Sequence, residues 1–309
     1  MSENADGSYR LRFYLQIVAL LFLANLLYWS KYVAKEDEDV FWDKIWELLE
    51  VRAQSPVVGG WFHILSWVIA IAVGILLCRL LKDGEKYAPR VVVPIAVLVI
   101  LLEVYKIFHF GMIEGKGTFA FPWKYFPFQF CSTPMFVGLL TAFFPKGKVR
   151  DSLYAYLATF AVFAGLCVMI YPGQVFVPTV GINVQTMVCH GSMITVGIYL
   201  FGSGCVKMEH KTVLKALPVF AVTVLMAIGL NEWAHHAGLT PEFNMFYFSP
   251  YGEPFLVLYA DIQRALGVSN PLNLVIYVVG FTLAAYVILL IAMGIRRLMS
   301  RCTKKKLSV

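Results

Sequence analysis

The chain has 309 residues, 59% of them hydrophobic and 15% charged, with a net charge of +7 and a mean hydropathy of +0.70. That composition exceeds what a soluble core of this length can hide, so a soluble globular domain is excluded. The chain reads as an all-α polytopic transmembrane helix bundle, seven core helices plus an N-terminal eighth.

Apolar runs long enough to cross a hydrocarbon core fall at 11–29, 60–81, 90–111, 127–144, 153–171, 185–203, 212–231 and 273–295. The first, preceded by Arg10 and Arg12, has no small-residue cleavage pattern after Trp29 and reads as a retained signal-anchor. After it, FWDKIWELLE (41–50) has helical periodicity with Trp42, Trp46 and Leu49 on one side, which suits an interfacial helix. This predicts three parts: 1–59 with the anchor and amphipathic segment, a core at 60–300, and a basic tail at 301–309.

Lysine and arginine alternate between connections. Arg79, Lys82, Lys86 and Arg90 mark the second connection, Lys146, Lys148 and Arg150 the fourth, Lys207, Lys211 and Lys215 the sixth, and Arg296, Arg297 and Arg301 the end. The intervening connections are acidic or uncharged, so both termini are expected in the cytosol. The positive charge is this inside bias and implies no nucleic-acid partner. An integral protein of a bacterial cytoplasmic membrane, or of the endoplasmic reticulum in a eukaryote, is expected.

The six cysteines show neither a disulfide framework nor zinc-ligand spacing. No metal or other cofactor is expected. Ionisable groups within spans are expensive and mark function. Glu103, Lys106 and His109 share a helical face in the outer half of the third run and can pair.

In FPFQFCSTPMF, 126–136, Gln129, Ser132 and Thr133 surround Cys131 at the edge of an apolar run. A helix starting there takes Thr133 as N-cap and Pro134 as first residue, which favours a thiolate. A helix running through would kink at Pro134. His190, in VQTMVCHGSM, enters its span from the same outer side. Counted from Pro127 and Val184 at ~1.5 Å per residue, Cys131 and His190 lie roughly 6 and 9 Å deep. A thiol and an imidazole that meet in a dry site carry out nucleophilic catalysis. The connection 231–272 is too long and apolar for a simple loop and is expected to pack over the outer mouth, framed by Asn231 and Asn244. Its Trp233, Phe246, Tyr247 and Tyr251 suit an aromatic belt. His235 and His236 read as surface residues.

The motifs FPFQFCSTPM, YPGQVFVP with QTMVCHGSM, and NMFYFSPYGEPF occur in an order and spacing that resemble the YwaF-like integral membrane proteins. That family extends to an animal acyltransferase that remodels ether phospholipids. The resemblance covers roughly residues 60–295. It implies Cys131 as nucleophile, His190 as its base and Asn244 as a residue framing the site. The expected function is a lipid acyltransferase, or acyl-lipid hydrolase, working through a cysteine thioester at the extracytoplasmic or luminal side. A membrane lipid is the acyl donor and a lysolipid the acceptor, with Gln129, Ser132, Asn231, Asn244, Glu103 and Lys106 binding substrate. Such an enzyme needs a lateral, lipid-sized cavity. The alternative is a transporter or receptor with a polar path through Glu103, Lys106 and His109.

Overall fold

The computed structural model describes residues 49–307 other than Pro241 and Val257. The chain divides into two compact units, residues 1–51 and 52–309, and every element named below belongs to the second. The expected first span at 11–29 and the amphipathic stretch up to residue 48 lie outside the described residues.

In chain order the unit runs α1 (Trp61–Leu80), α2 (Gly84–Glu114), α3 (Thr133–Leu140), α4 (Lys148–Ala158), α5 (Phe160–Ile170), α6 (Val180–Gly202), α7 (Lys211–His236), α8 (Tyr259–Leu266) and α9 (Leu272–Leu307). Among the described residues, six stretches are long and apolar enough to cross a membrane: α1, α2, α4 with α5, α6, α7 and α9. Their outward faces are as apolar as their inward ones. Leu214, Leu225 and Met226 on α7, and Leu283, Val287 and Ile291 on α9, are all exposed. Water would penalise such a surface, and lipid does not.

Local chemistry sets the boundaries. Asp83 caps α2 by accepting a hydrogen bond from the Lys86 backbone N–H at 3.1 Å. Between α4 and α5 the backbone breaks at Thr159, whose hydroxyl donates to the Ala155 carbonyl at 2.7 Å and so satisfies a group the break would strand. The basic turn after α6 leads into α7, which runs to the opposite end of the bundle.

The central element is α6. It packs against α1, α2, α4 and α5, and most of its residues are buried. Small residues permit the close approach. A Cβ at Gly165 on α5 would lie 2.7 Å from the backbone carbonyl oxygen of His190. Thr195 reaches across to the Ala70 carbonyl of α1 at 2.8 Å, a polar tie between two spans.

The apolar run at 127–144 differs from a full span. Its helix, α3, has only eight residues, about 12 Å at 1.5 Å per residue against roughly 30 Å of hydrocarbon. Pro134 has no N–H to bond backward, which stops the helix from extending toward Phe126. The chain nonetheless traverses the bundle between α2 and α4. Before α3, Lys124 pairs with Glu242 at 3.2 Å, beyond the C-terminal end of α7. After it, Lys146 pairs with Glu85 at 2.5 Å, at the N-terminal, basic end of α2. The crossing is therefore made by irregular backbone and one short helix together.

This arrangement predicts opposite exposure of two nearby positions. With the native cysteines replaced, Lys124→Cys and Lys146→Cys should react with a membrane-impermeant maleimide from opposite faces of sealed vesicles. Labelling of both from one face would mean that α3 does not complete a crossing.

Candidate functional site

Cys131 sits in the turn that leads into α3. The Gln129 carbonyl accepts from the N–H groups of Ser132 and Thr133 at 2.8 and 3.1 Å, so the thiol projects from a closed turn and is half-buried. The helix begins one residue earlier than the sequence predicts. Ser132 takes the N-cap position and Thr133 is the first helical residue, with no side-chain cap. The Thr133 hydroxyl is committed elsewhere: it donates to the Phe130 carbonyl at 2.8 Å and accepts from the Tyr156 hydroxyl at 2.6 Å. Ser132, next to the thiol, is itself buried at the N-cap.

Gln129 turns away from the sulfur. Its amide Nε2 donates to the Asn244 carbonyl at 2.9 Å, and its Oε1 accepts from the Phe246 N–H at 3.0 Å. Asn231, on α7, makes the equivalent pair of bonds to Met245: Nδ2 to its carbonyl at 3.0 Å and Oδ1 from its N–H at 2.7 Å. Asn244 closes its own loop, donating to the Glu253 carbonyl at 3.2 Å and accepting from the Ser249 N–H at 3.0 Å. These three amides, expected to bind substrate, spend their polar atoms on the backbone of one loop.

That loop also departs from the expected aromatic belt. Trp233 and Tyr251 are exposed, but Phe246 is fully buried, packed against Phe128 and Phe130 with ring centroids 6.0 and 5.6 Å away. A left-handed backbone at Phe246, φ 62°, sends the ring inward. His235 is exposed and stacks on Tyr251. Among the described residues, no group of three or more His, Cys, Asp or Glu side chains is placed to hold a metal ion.

Glu103 and Lys106 form an ion pair at 2.5 Å, with Glu103 buried and Lys106 half-buried. Gln185 on α6 donates to the second Glu103 oxygen at 3.2 Å and reaches the Cys189 sulfur at 3.4 Å. The Lys106 ammonium is close enough to act electrostatically on Cys131, Cys189 and His190 alike. Gln185 went unremarked in the sequence. The available signal was an amide one helical turn before Cys189 inside a span.

His190 lies ten residues into α6, about 15 Å along it, because the helix starts at Val180 rather than at Val184. Its Nδ1 is 2.7 Å from the Thr186 carbonyl, which only accepts, so Nδ1 carries the proton. In the neutral ring this leaves Nε2 with its lone pair, and Nε2 is buried without a hydrogen-bond partner. No hydrogen bond joins Cys131 to His190. Their immediate neighbours do meet: Met135, one turn beyond Cys131, clusters with Cys189, next to His190, and with Val99 of α2. A small apolar recess of about 30 Å³ is lined there by Pro134, Met135, Cys189 and Met193, among others.

The model of the TMEM164 family matches residues 57–294. No curated protein and no solved structure matches the chain.

Removing the Gln129 amide would strand a buried carbonyl and a buried N–H, each costing roughly 1–3 kcal/mol. Gln129→Ala should therefore lower stability by about 2 kcal/mol or more, read as a fall in the thermal midpoint in detergent. It should also raise the rate at which a small electrophile reaches Cys131. An unchanged midpoint would mean that the amide is not holding the loop.

Proposed function

This chain belongs to the TMEM164 family, and we propose that it is a membrane-embedded acyltransferase that carries a lipid acyl group as a thioester on Cys131. The observation that carries the reading is the state of His190. A buried imidazole whose Nδ1–H is fixed by a carbonyl, and whose Nε2 lone pair has no partner, is prepared to take a proton. The meeting of Met135 with Cys189 supports Cys131 as the source of that proton. The likeness of the three motifs to the YwaF-like proteins, which assigns the same two residues, supports it as well.

In this mechanism Nε2 of His190 accepts the thiol proton as the sulfur attacks the ester carbonyl of a diacyl lipid. The tetrahedral adduct collapses, the C–O bond breaks, and the departing lysolipid oxygen takes the proton from His190. The acyl thioester then meets the hydroxyl of a second lysolipid, or water, and the same imidazole works in reverse. Lys106 favours negative charge on the sulfur, while its pairing with Glu103 leaves the pair without net charge. The recess beside Cys189 is far smaller than the expected lipid-sized cavity. It takes the first methylenes of the acyl chain, and the remainder stays in the bilayer. On this reading the site opens at the end of the bundle remote from the basic connections, where Lys124 pairs with Glu242.

Cys131→Ala and His190→Ala should each remove nearly all acyl transfer, and the double variant little more, because a nucleophile and its base act as a unit. Cys131→Ser keeps the volume but not the easily ionised thiol, so it should fold and be close to inactive. Full turnover in folded Cys131→Ser would rule out the thioester.

A further inference from the structure

Two short segments are clamped together at the site, and each delivers the residue that follows it. Phe128–Gln129–Phe130 is joined to Asn244–Met245–Phe246 by both bonds of the Gln129 amide and by the packing of Phe246 on Phe128 and Phe130. The next residues are Cys131 and Tyr247. Both Phe246 and Tyr247 adopt left-handed backbone, φ 62° and 58°, a conformation that is unfavourable for bulky residues. The bonds from Gln129, Asn231 and Asn244 stabilise it. Strain held in place by buried amides marks a residue that must point in one direction.

Three phenols lie within electrostatic reach of Cys131: Tyr156, Tyr247 and Tyr277. The Tyr156 hydroxyl is bonded to Thr133 and its ring is fully buried. Tyr277 is sealed at 1% exposure among Phe246, Phe248, Tyr259 and Phe281. Neither can touch a substrate. Tyr247 is half-buried, its ring stacked on Phe255 at 4.7 Å, and among the described residues its hydroxyl has no hydrogen-bond partner. A phenol is protonated at neutral pH and is a donor.

We propose that Tyr247 is a catalytic residue whose hydroxyl donates a hydrogen bond to the carbonyl oxygen of the lipid ester under attack. This rests on the reading of Cys131 as the nucleophile. As the S–C bond forms, the carbonyl π pair moves onto oxygen and the Tyr247 O–H stabilises that charge, keeping its own proton. When the adduct collapses the pair returns, the C–O bond to the lysolipid breaks, and the leaving oxygen takes the proton held by His190. The Lys106 ammonium is held by the Glu103 carboxylate at 2.5 Å.

The test measures the rate at which a diacyl phospholipid forms an acyl adduct on Cys131, by intact mass in a single turnover. Tyr247→Phe keeps the ring and its stacking, and it should slow adduct formation about 10²–10³-fold, the usual loss for one such donor. Alkylation of the same thiol by iodoacetamide makes no oxyanion, so its rate should stay within about twofold. Substituting 3,5-difluorotyrosine at 247 preserves the shape but lowers the phenol's titration, so adduct formation should fall with rising pH where the unmodified protein does not. Three results would overturn the proposal: unchanged adduct formation in Tyr247→Phe, equal slowing of alkylation, or no new pH limb with the fluorinated residue. No adduct in the unmodified protein would instead remove Cys131 as nucleophile, a distinct failure.

Discussion

A polypeptide that leaves helical geometry inside a bilayer must find hydrogen bonds for each stranded N–H and C=O from within the protein, because hydrocarbon offers none. In this bundle the constraint falls on residues 115–132 and on the connection after α7. The first stretch satisfies its backbone largely within itself, and the second is satisfied in part from outside. Gln129 satisfies the backbone of Asn244 and Phe246, and Asn231 satisfies Met245. Irregular backbone is tolerated at depth where it is buried in protein, and here it leads into α3, whose Met135 packs with Cys189 of α6.

The same logic governs charge. An unpaired carboxylate or ammonium in a span is strongly unfavourable. Glu103 and Lys106 neutralise each other on one face of α2, and Gln185 occupies the second carboxylate oxygen. The pair is thereby a fixed dipole within electrostatic reach of the thiol and the imidazole. Breaking one partner would leave a buried charge, which couples the stability of α2 and α6 to the electrostatics of the site.

Long apolar helices were legible from composition and run length, as Trp61–Leu80, Val180–Gly202 and Lys211–His236 attest. Pairing of Glu103 with Lys106 was legible too, since three residues on a helix place side chains on one face. Less could be read at Phe126–Leu140. Its hydropathy is that of a span, and only Pro134 hints that the helix is short. The bonds of the amides were not legible: Gln129 stands two residues before Cys131, and its partners lie 115 and 117 residues away. Sequence proximity to the thiol cannot report a bond of that range. The left-handed turn at Phe246 and Tyr247 has no glycine to announce it, so an inward aromatic reads as a surface one. His190 was identifiable as a polar residue in a span, but the tautomer that frees Nε2 depends on Thr186, one turn earlier.

The proposed chemistry requires the Cys131 sulfur to lie beside the imidazole of His190. The direct measurement is proximity. In a protein with its other native cysteines replaced, His190→Cys should be joined to Cys131 by a short bis-methanethiosulfonate reagent, detected as a linked pair of peptides by mass spectrometry. Val184→Cys, nearer the start of α6, should not be joined. Efficient linking of 131 to 190 but not to 184 is the predicted result. Linking at neither position, or at 184 alone, would separate the thiol from the histidine and contradict the account.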